Sequence, residues 1–141
     1  MKNLLVLFGG VSPEHEVSLR SAEFVLGHID QSKYNVYAVG ITKEGKWKYY
    51  PSQDYAAIRE NHWQEAEGVC DAALSPSRGQ GLLILKPQGL EIVPMDCCFP
   101  VLHGENGEDG SIQGLMQVAG VPCVGPGVTA SASCMDKTMT K

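Results

Sequence analysis

Apolar and polar positions alternate along this chain in blocks that read as strands, helices and turns. Residues 4–8 (LLVLF) are a continuous apolar run, as expected of a central parallel strand covered on both faces. Gly9-Gly10 then turns the chain. Ser12-Pro13 predicts a helix start, with serine as cap and proline in the first turn. That helix is expected to run to about Ile29, with Val17, Ser21, Phe24, Val25 and Ile29 on its inner face. Residues 34–42 (YNVYAVGIT) predict a second strand and complete a β-α-β unit.

The middle, residues 43–95, has a different texture and reads as an insertion on the parallel core. Lys43-Glu44-Gly45 is a turn, and residues 46–50 predict a short edge strand. Residues 55–63 predict a short helix, and 75–81 (SPSRGQG) a flexible loop. Residues 82–85 and 90–93 flank Lys86-Pro87-Gln88-Gly89, which predicts a hairpin with proline at the second turn position. The core resumes with an apolar strand over 96–102. A helix follows over 111–119, with Ile112, Leu115, Met116 and Ala119 on one face. Residues 121–124 predict a further short strand. Gly125-Pro126-Gly127 breaks the chain, and 128–141 has a helical pattern that stops in mid-course at Lys141. We therefore expect an α/β fold, a Rossmann-like parallel sheet with flanking helices and an inserted β-hairpin region. The sequence itself is expected to be one part of a longer protein.

The two most informative stretches have the same design. In residues 4–18 (LLVLFGGVSPEHEVS) and again in 97–114 (CCFPVLHGENGEDGSIQG), an apolar strand meets glycines and carboxylates just before a helix. In open α/β sheets, ligands bind where strands end and helices begin. Two such loops in 141 residues predict one shared crevice. Taken alone, Gly104, Gly107 and Gly110 could serve only to turn the chain, and Glu108 and Asp109 only to offset a helix dipole. Glu14 and Glu16 sit two apart in a first helical turn, so one can face the crevice and the other solvent. A carboxylate there stays ionised and could hold an ammonium group, or could merely compensate the dipole. His103, beside a glycine at a strand end, could donate to a carboxylate or carbonyl. Lys137 could reach phosphate oxygens or lie on a helix surface. His15, His28 and His62 are read as surface residues. No metal site is expected at His103, Glu108 and Asp109, because adjacent carboxylates on a turn point apart.

Composition narrows the function classes. Eleven Lys and Arg against sixteen Asp and Glu give a net charge of −5, the wrong sign for a nucleic-acid binder. No apolar run has the length of a membrane span, and residues 4–8 are too short for the core of a secretory leader. Five cysteines, an odd number without C-x-x-C, fit neither a disulfide framework nor a zinc site. Reduced cysteines in the cytoplasm are the expectation. Gly9-Gly10 lacks the third glycine of a dinucleotide fingerprint, which argues against an oxidoreductase.

Three stretches, FGGVSPEHEVSLRSA, HGENGEDGSIQG and SASCMDK, resemble the D-alanine–D-alanine ligase family, in its order and at about its spacing. The H-G-x-x-G-E-D-G-x-[aliphatic]-Q-G run is highly specific to it. The likeness extends to variants that make D-alanyl-D-serine or D-alanyl-D-lactate. GITKEGKW and the long insert resemble those variants somewhat more than the shortest housekeeping forms.

The resemblance implies an ATP-grasp type enzyme. Such an enzyme phosphorylates one D-alanine with ATP, and the amine of a second then attacks the acyl phosphate, in peptidoglycan precursor synthesis. It implies that Glu14 anchors the ammonium group of the first D-alanine. It implies that His103 lies near the substrate carboxylate and transferred phosphoryl group, and Lys137 near the nucleotide phosphates. Gly104, Gly107, Glu108, Asp109 and Gly110 form the signature loop, with a structural role for the two carboxylates. Residues 1–125 would be the amino-terminal substrate domain (the pre-ATP-grasp domain), with its insert at about 43–95. Residues 126–141 would be the linker and first helix toward an ATP-grasp domain. ATP and Mg2+ (or Mn2+) would serve the full-length enzyme, with the metal ligands beyond this chain, and a cytoplasmic homodimer through this domain is expected. The competing expectation is a free-standing, non-catalytic domain that binds an amino acid or forms a dimer face. Phosphoryl transfer needs cations and metal that this stretch does not supply. The 141-residue chain by itself is therefore expected to release no phosphate from ATP, magnesium and D-alanine above a no-enzyme control.

Overall fold

The computed structural model describes residues 2–11, 15–102 and 111–123. The strands are β1 (Lys2–Gly9), β2 (Tyr34–Ile41), β3 (Trp47–Tyr50), β4 (Cys70–Leu74), β5 (Leu82–Lys86), β6 (Gly89–Val93) and β7 (Cys97–Leu102). The helices are α1 (His15–His28), the single-turn α2 (Ala56–Arg59) and α3 (Ser111–Ala119), with a 3-10 turn at Trp63–Glu65. All seven strands join one sheet in the order β6-β5-β4-β3-β2-β1-β7. β1 pairs in parallel with β2 on one side and β7 on the other. β3 to β6 add antiparallel strands beyond β2. The fold is thus α/β as expected, but the sheet is mixed, and the insert extends the same sheet.

The unbroken apolar run of β1 follows from its central place. Leu5 and Leu7 point to one face, where Ile112, Met116 and Ala119 of α3 cover them. Leu4, Val6 and Phe8 point to the other, under Leu19, Ala22 and Leu26 of α1. A strand buried on both faces cannot alternate with polar residues. Pro100 sits within β7 without breaking the β1 pairing. The Cys98 N–H bonds the Pro122 carbonyl, so N–H groups of that parity face away from β1.

The second layer is completed by Trp63, fully buried and edge-on to Phe8 with ring centroids 4.9 Å apart. Its ring lies directly on Gly40, where an added Cβ would come within 2.4 Å of the indole. Glycine in β2 therefore makes room for the aromatic lid.

Several expectations need correction. Residues 46–50 are not an edge strand, because β3 pairs with both β2 and β4. The edge on that side is β6. Strand β4 was not expected at all. Its sequence, CDAAL, has little intrinsic strand preference, and pairing on both sides imposes the extended form. The helix expected over 55–63 is only α2 followed by the 3-10 turn. The inner face of α1 is rotated from the expected one. The buried residues are His15, Ser18, Leu19, Ala22 and Leu26. Val17 and Phe24 are exposed, and Phe24 stacks on His28 at the surface. Counting apolar residues misled here, since the helix uses two polar side chains inward. His15 is accordingly buried, not a surface residue.

The hairpin and α3 agree with expectation. The hairpin of β5 and β6 pairs Lys86 with Gly89 around Pro87-Gln88. Helix α3 has its expected bounds and inner face. The expected strand at 121–124 is a single parallel bridge, Cys98 to Cys123, within the described residues. The segment 75–81 closes on itself, Ser75 N–H donating to the Gly81 carbonyl at 2.9 Å. The helix expected over 128–141 lies outside the described residues.

Gly40→Ala is expected to destabilise by about 1–3 kcal/mol, since the indole must move within a packed layer. Denaturant unfolding followed by tryptophan fluorescence would measure this, and an unchanged midpoint would contradict the tight approach.

Candidate functional site

The carboxyl ends of β1 and β7 lie side by side, with Gly9 opposite Leu102. Their continuations depart to opposite faces: α1 covers the face of Val6 and Phe8, and α3 the face of Leu5 and Leu7. This is the switch point of a doubly wound sheet, where a crevice opens beyond the strand ends. The two glycine-containing loops picked out in the sequence therefore leave neighbouring strand ends. The residues expected to act there, Glu14, His103, Gly104, Gly107, Glu108, Asp109, Gly110 and Lys137, lie outside the described residues. The frame that carries the two loops is described on both sides.

That frame is dense in hydrogen bonds to backbone. Gly9 adopts φ +87°, a conformation that side chains resist, and a Cβ there would meet the Ile41 carbonyl at 2.3 Å. Gly10 N–H donates to that Ile41 carbonyl at 2.7 Å, which ties the turn to the end of β2. His15 Nδ1 lies 2.8 Å from the Gly10 carbonyl. A carbonyl only accepts, so Nδ1 carries the proton. The Ser18 hydroxyl accepts from Gly9 N–H at 2.8 Å and donates to the Val101 carbonyl. One buried hydroxyl thus joins α1 to the ends of both β1 and β7. Sequence reading missed both residues. A serine and a histidine in a helix resemble surface residues, and only the packing reveals what they face.

The first turn of α1 is held from outside as well. Thr42 closes the β2–β3 turn, its side chain accepting from Lys46 N–H at 3.0 Å. Lys43 then reaches Glu16 at 2.6 Å. This hydrogen bond is the main reason that the Glu16 carboxyl titrates below its ordinary value. Glu16, in the first turn of α1, is exposed and committed to Lys43.

The cysteines of the described residues are free thiols. Cys98 and Cys123 are bridged neighbours, and burial pushes the Cys98 thiol well above the usual range. Among the described residues no three His, Cys, Asp or Glu side chains are grouped to hold a metal ion. None of the described helices is long and apolar enough to cross a membrane.

A depressed glutamate contributes stability above its unfolded pKa and loses it as pH falls through the folded value. The pair is exposed, so solvent screens it. Lys43→Met is expected to move the Glu16 titration upward toward that of a free glutamate, with the melting temperature at neutral pH hardly changed. Carboxyl NMR titration would check this, and an unmoved Glu16 would remove the pair from the frame.

A model of the D-ala D-ala ligase N-terminus family matches residues 3–126. A D-alanine--D-alanine ligase of Thermoanaerobacter sp. (strain X514) is 45% identical over 140 residues, 99% of this chain and 38% of the relative. One from Clostridium novyi (strain NT) is 46% identical over 143 residues, 99% of this chain and 37% of the relative. Among solved structures, the VanG D-Ala:D-Ser ligase from Enterococcus faecalis superposes with a TM-score of 0.81 at 41% identity. That match covers 96% of this chain and 39% of the other. The D-alanine-D-alanine ligase from Coxiella burnetii gives 0.75 at 29% identity, covering 96% of this chain and 38% of the other. The chain spans well under half the length of these relatives. With the family model matched from β1 to just beyond the Cys98–Cys123 bridge, the chain belongs to the D-ala D-ala ligase N-terminus family.

Proposed function

We propose that this chain is the amino-terminal substrate domain of an ATP-dependent D-alanine–D-alanine ligase, or of a ligase joining D-alanine to D-serine or D-lactate. In that reading residues 1–125 form the domain, the insert at about 43–95 being its antiparallel extension. Residues 126–141 lead toward an ATP-grasp domain. One observation carries the reading: the strand ends preceding the two signature loops are adjacent and in register at the switch point, in a chain matched along its length by one ligase family.

The chemistry assigned to the chain follows from its side-chain types. Glu14 holds the ammonium group of the first D-alanine by a charge-assisted hydrogen bond. The pairing of Glu16 with Lys43 supports giving Glu14 that role. His103 donates to the substrate carboxylate or to the phosphoryl group arriving on it, and Lys137 approaches the nucleotide phosphates. Gly104, Gly107, Glu108, Asp109 and Gly110 shape the loop between β7 and α3. The γ-phosphoryl group of ATP passes to a carboxylate oxygen of the first D-alanine, releasing ADP. The amine of the second D-alanine displaces phosphate and forms the peptide bond. Mg2+ or Mn2+ would serve the complete enzyme, with its ligands beyond this chain; among the described residues no three His, Cys, Asp or Glu are grouped to hold one. The product serves peptidoglycan synthesis, cell wall biogenesis and cell shape, in the cytoplasm, with a homodimer formed through this domain.

Glu14→Gln in the complete gene product keeps the shape and removes the charge. Its KM for the first D-alanine is expected to rise about 10- to 150-fold, the loss of a charge-assisted contact of about 1.5–3 kcal/mol. KM for ATP should stay near its wild-type value. Steady-state kinetics with each substrate varied would decide, and small, equal effects on both would point instead to a non-catalytic role.

A further inference from the structure

We propose that His15 and Ser18 are positioning residues, which set where the chain between β1 and α1 stands relative to the end of β7. The proposal rests on the reading that Glu14 anchors the substrate amine, and it names what aims that loop.

Both side chains are almost wholly buried on the inner face of α1, at 1% and 0% exposure. Apolar residues would be the default there, and a buried polar group costs free energy unless it is bonded. Here the bonds all go to backbone at the strand ends: Gly9, Gly10 and Val101. None of the three reaches a side chain. Leucine or alanine at these two places would leave the buried Gly9 N–H, Gly10 carbonyl and Val101 carbonyl without these partners, so the side chains fix the helix start to particular backbone atoms as well as cover it.

The position of these bonds is what gives them their role. His15 grips the Gly10 carbonyl five residues earlier, so the start of α1 is tied to the end of β1. Glu14 is its sequence neighbour. Ser18, almost one turn further along, is fixed to β1 and β7 together. The amine-binding loop and the start of the histidine loop thereby share one reference point. The outer side of the same turn is restrained by the Glu16–Lys43 pair. A displacement of about 1 Å in such a site can cost on the order of 100-fold in rate.

The test uses the complete gene product and three variants. His15→Leu fills the space without a donor, His15→Asn keeps an N–H near the place of Nδ1, and Ser18→Ala removes the hydroxyl alone. KM for the first D-alanine should rise about tenfold or more in His15→Leu and Ser18→Ala, with KM for ATP nearly unchanged. His15→Asn should restore most of the loss. Circular dichroism and melting temperature are read on the same samples. Folded His15→Leu and Ser18→Ala proteins with wild-type KM values would overturn the proposal. So would parallel losses for both substrates that follow the fall in melting temperature, or failure of both variants to fold. Absence of D-alanine-dependent ADP formation in the wild type would instead sink the functional reading, and the inference with it.

Discussion

Everything at the candidate site depends on β7 pairing with β1 on the side opposite β2. Had β7 joined beyond β2, the loops after β1 and β7 would open at separate places along the sheet. With β1 between β2 and β7, its carboxyl end is a point where neighbouring connections leave to opposite faces. The pairing also demands that β1 be apolar on both sides. The same residues that build the two cores, Leu4 to Phe8, therefore place the crevice.

The remainder of the sheet supports that arrangement from a distance. Strands β3 to β6 continue beyond β2, so that β2, like β1, is an interior strand. The turn after β2 carries Lys43 to Glu16, and the segment after β3 supplies Trp63 to the layer above Phe8. The insert thus braces the parallel core from both the helix start and the second layer.

Near the strand ends the protein spends polar groups in an unusual place. Ser18 and His15 bond backbone atoms that a helix normally covers with apolar side chains. Buried hydrogen bonds of this kind add little net stability, but they are directional, and direction is what a loop needs to hold a charged group in place. Glu16, by contrast, is spent on an exposed ion pair, a weak restraint on the outside of the same turn.

Periodicity in the sequence already determined the central strands, α3 and its inner face, because each buries a regular apolar pattern, and the turn residues at 86–89 determined the β5–β6 hairpin. The motifs HGENGEDGSIQG and FGGVSPEHEVSLRSA determined the family, because glycines and charges at fixed spacing are a local property of the chain. Tertiary structure alone decided that CDAAL is a strand, that β3 is interior, and that α1 turns His15 and Ser18 inward while Phe24 faces solvent. Those outcomes depend on what lies across the sheet or beneath the helix. A residue's own type states what it can bond or bury, and only the fold brings the partner within reach.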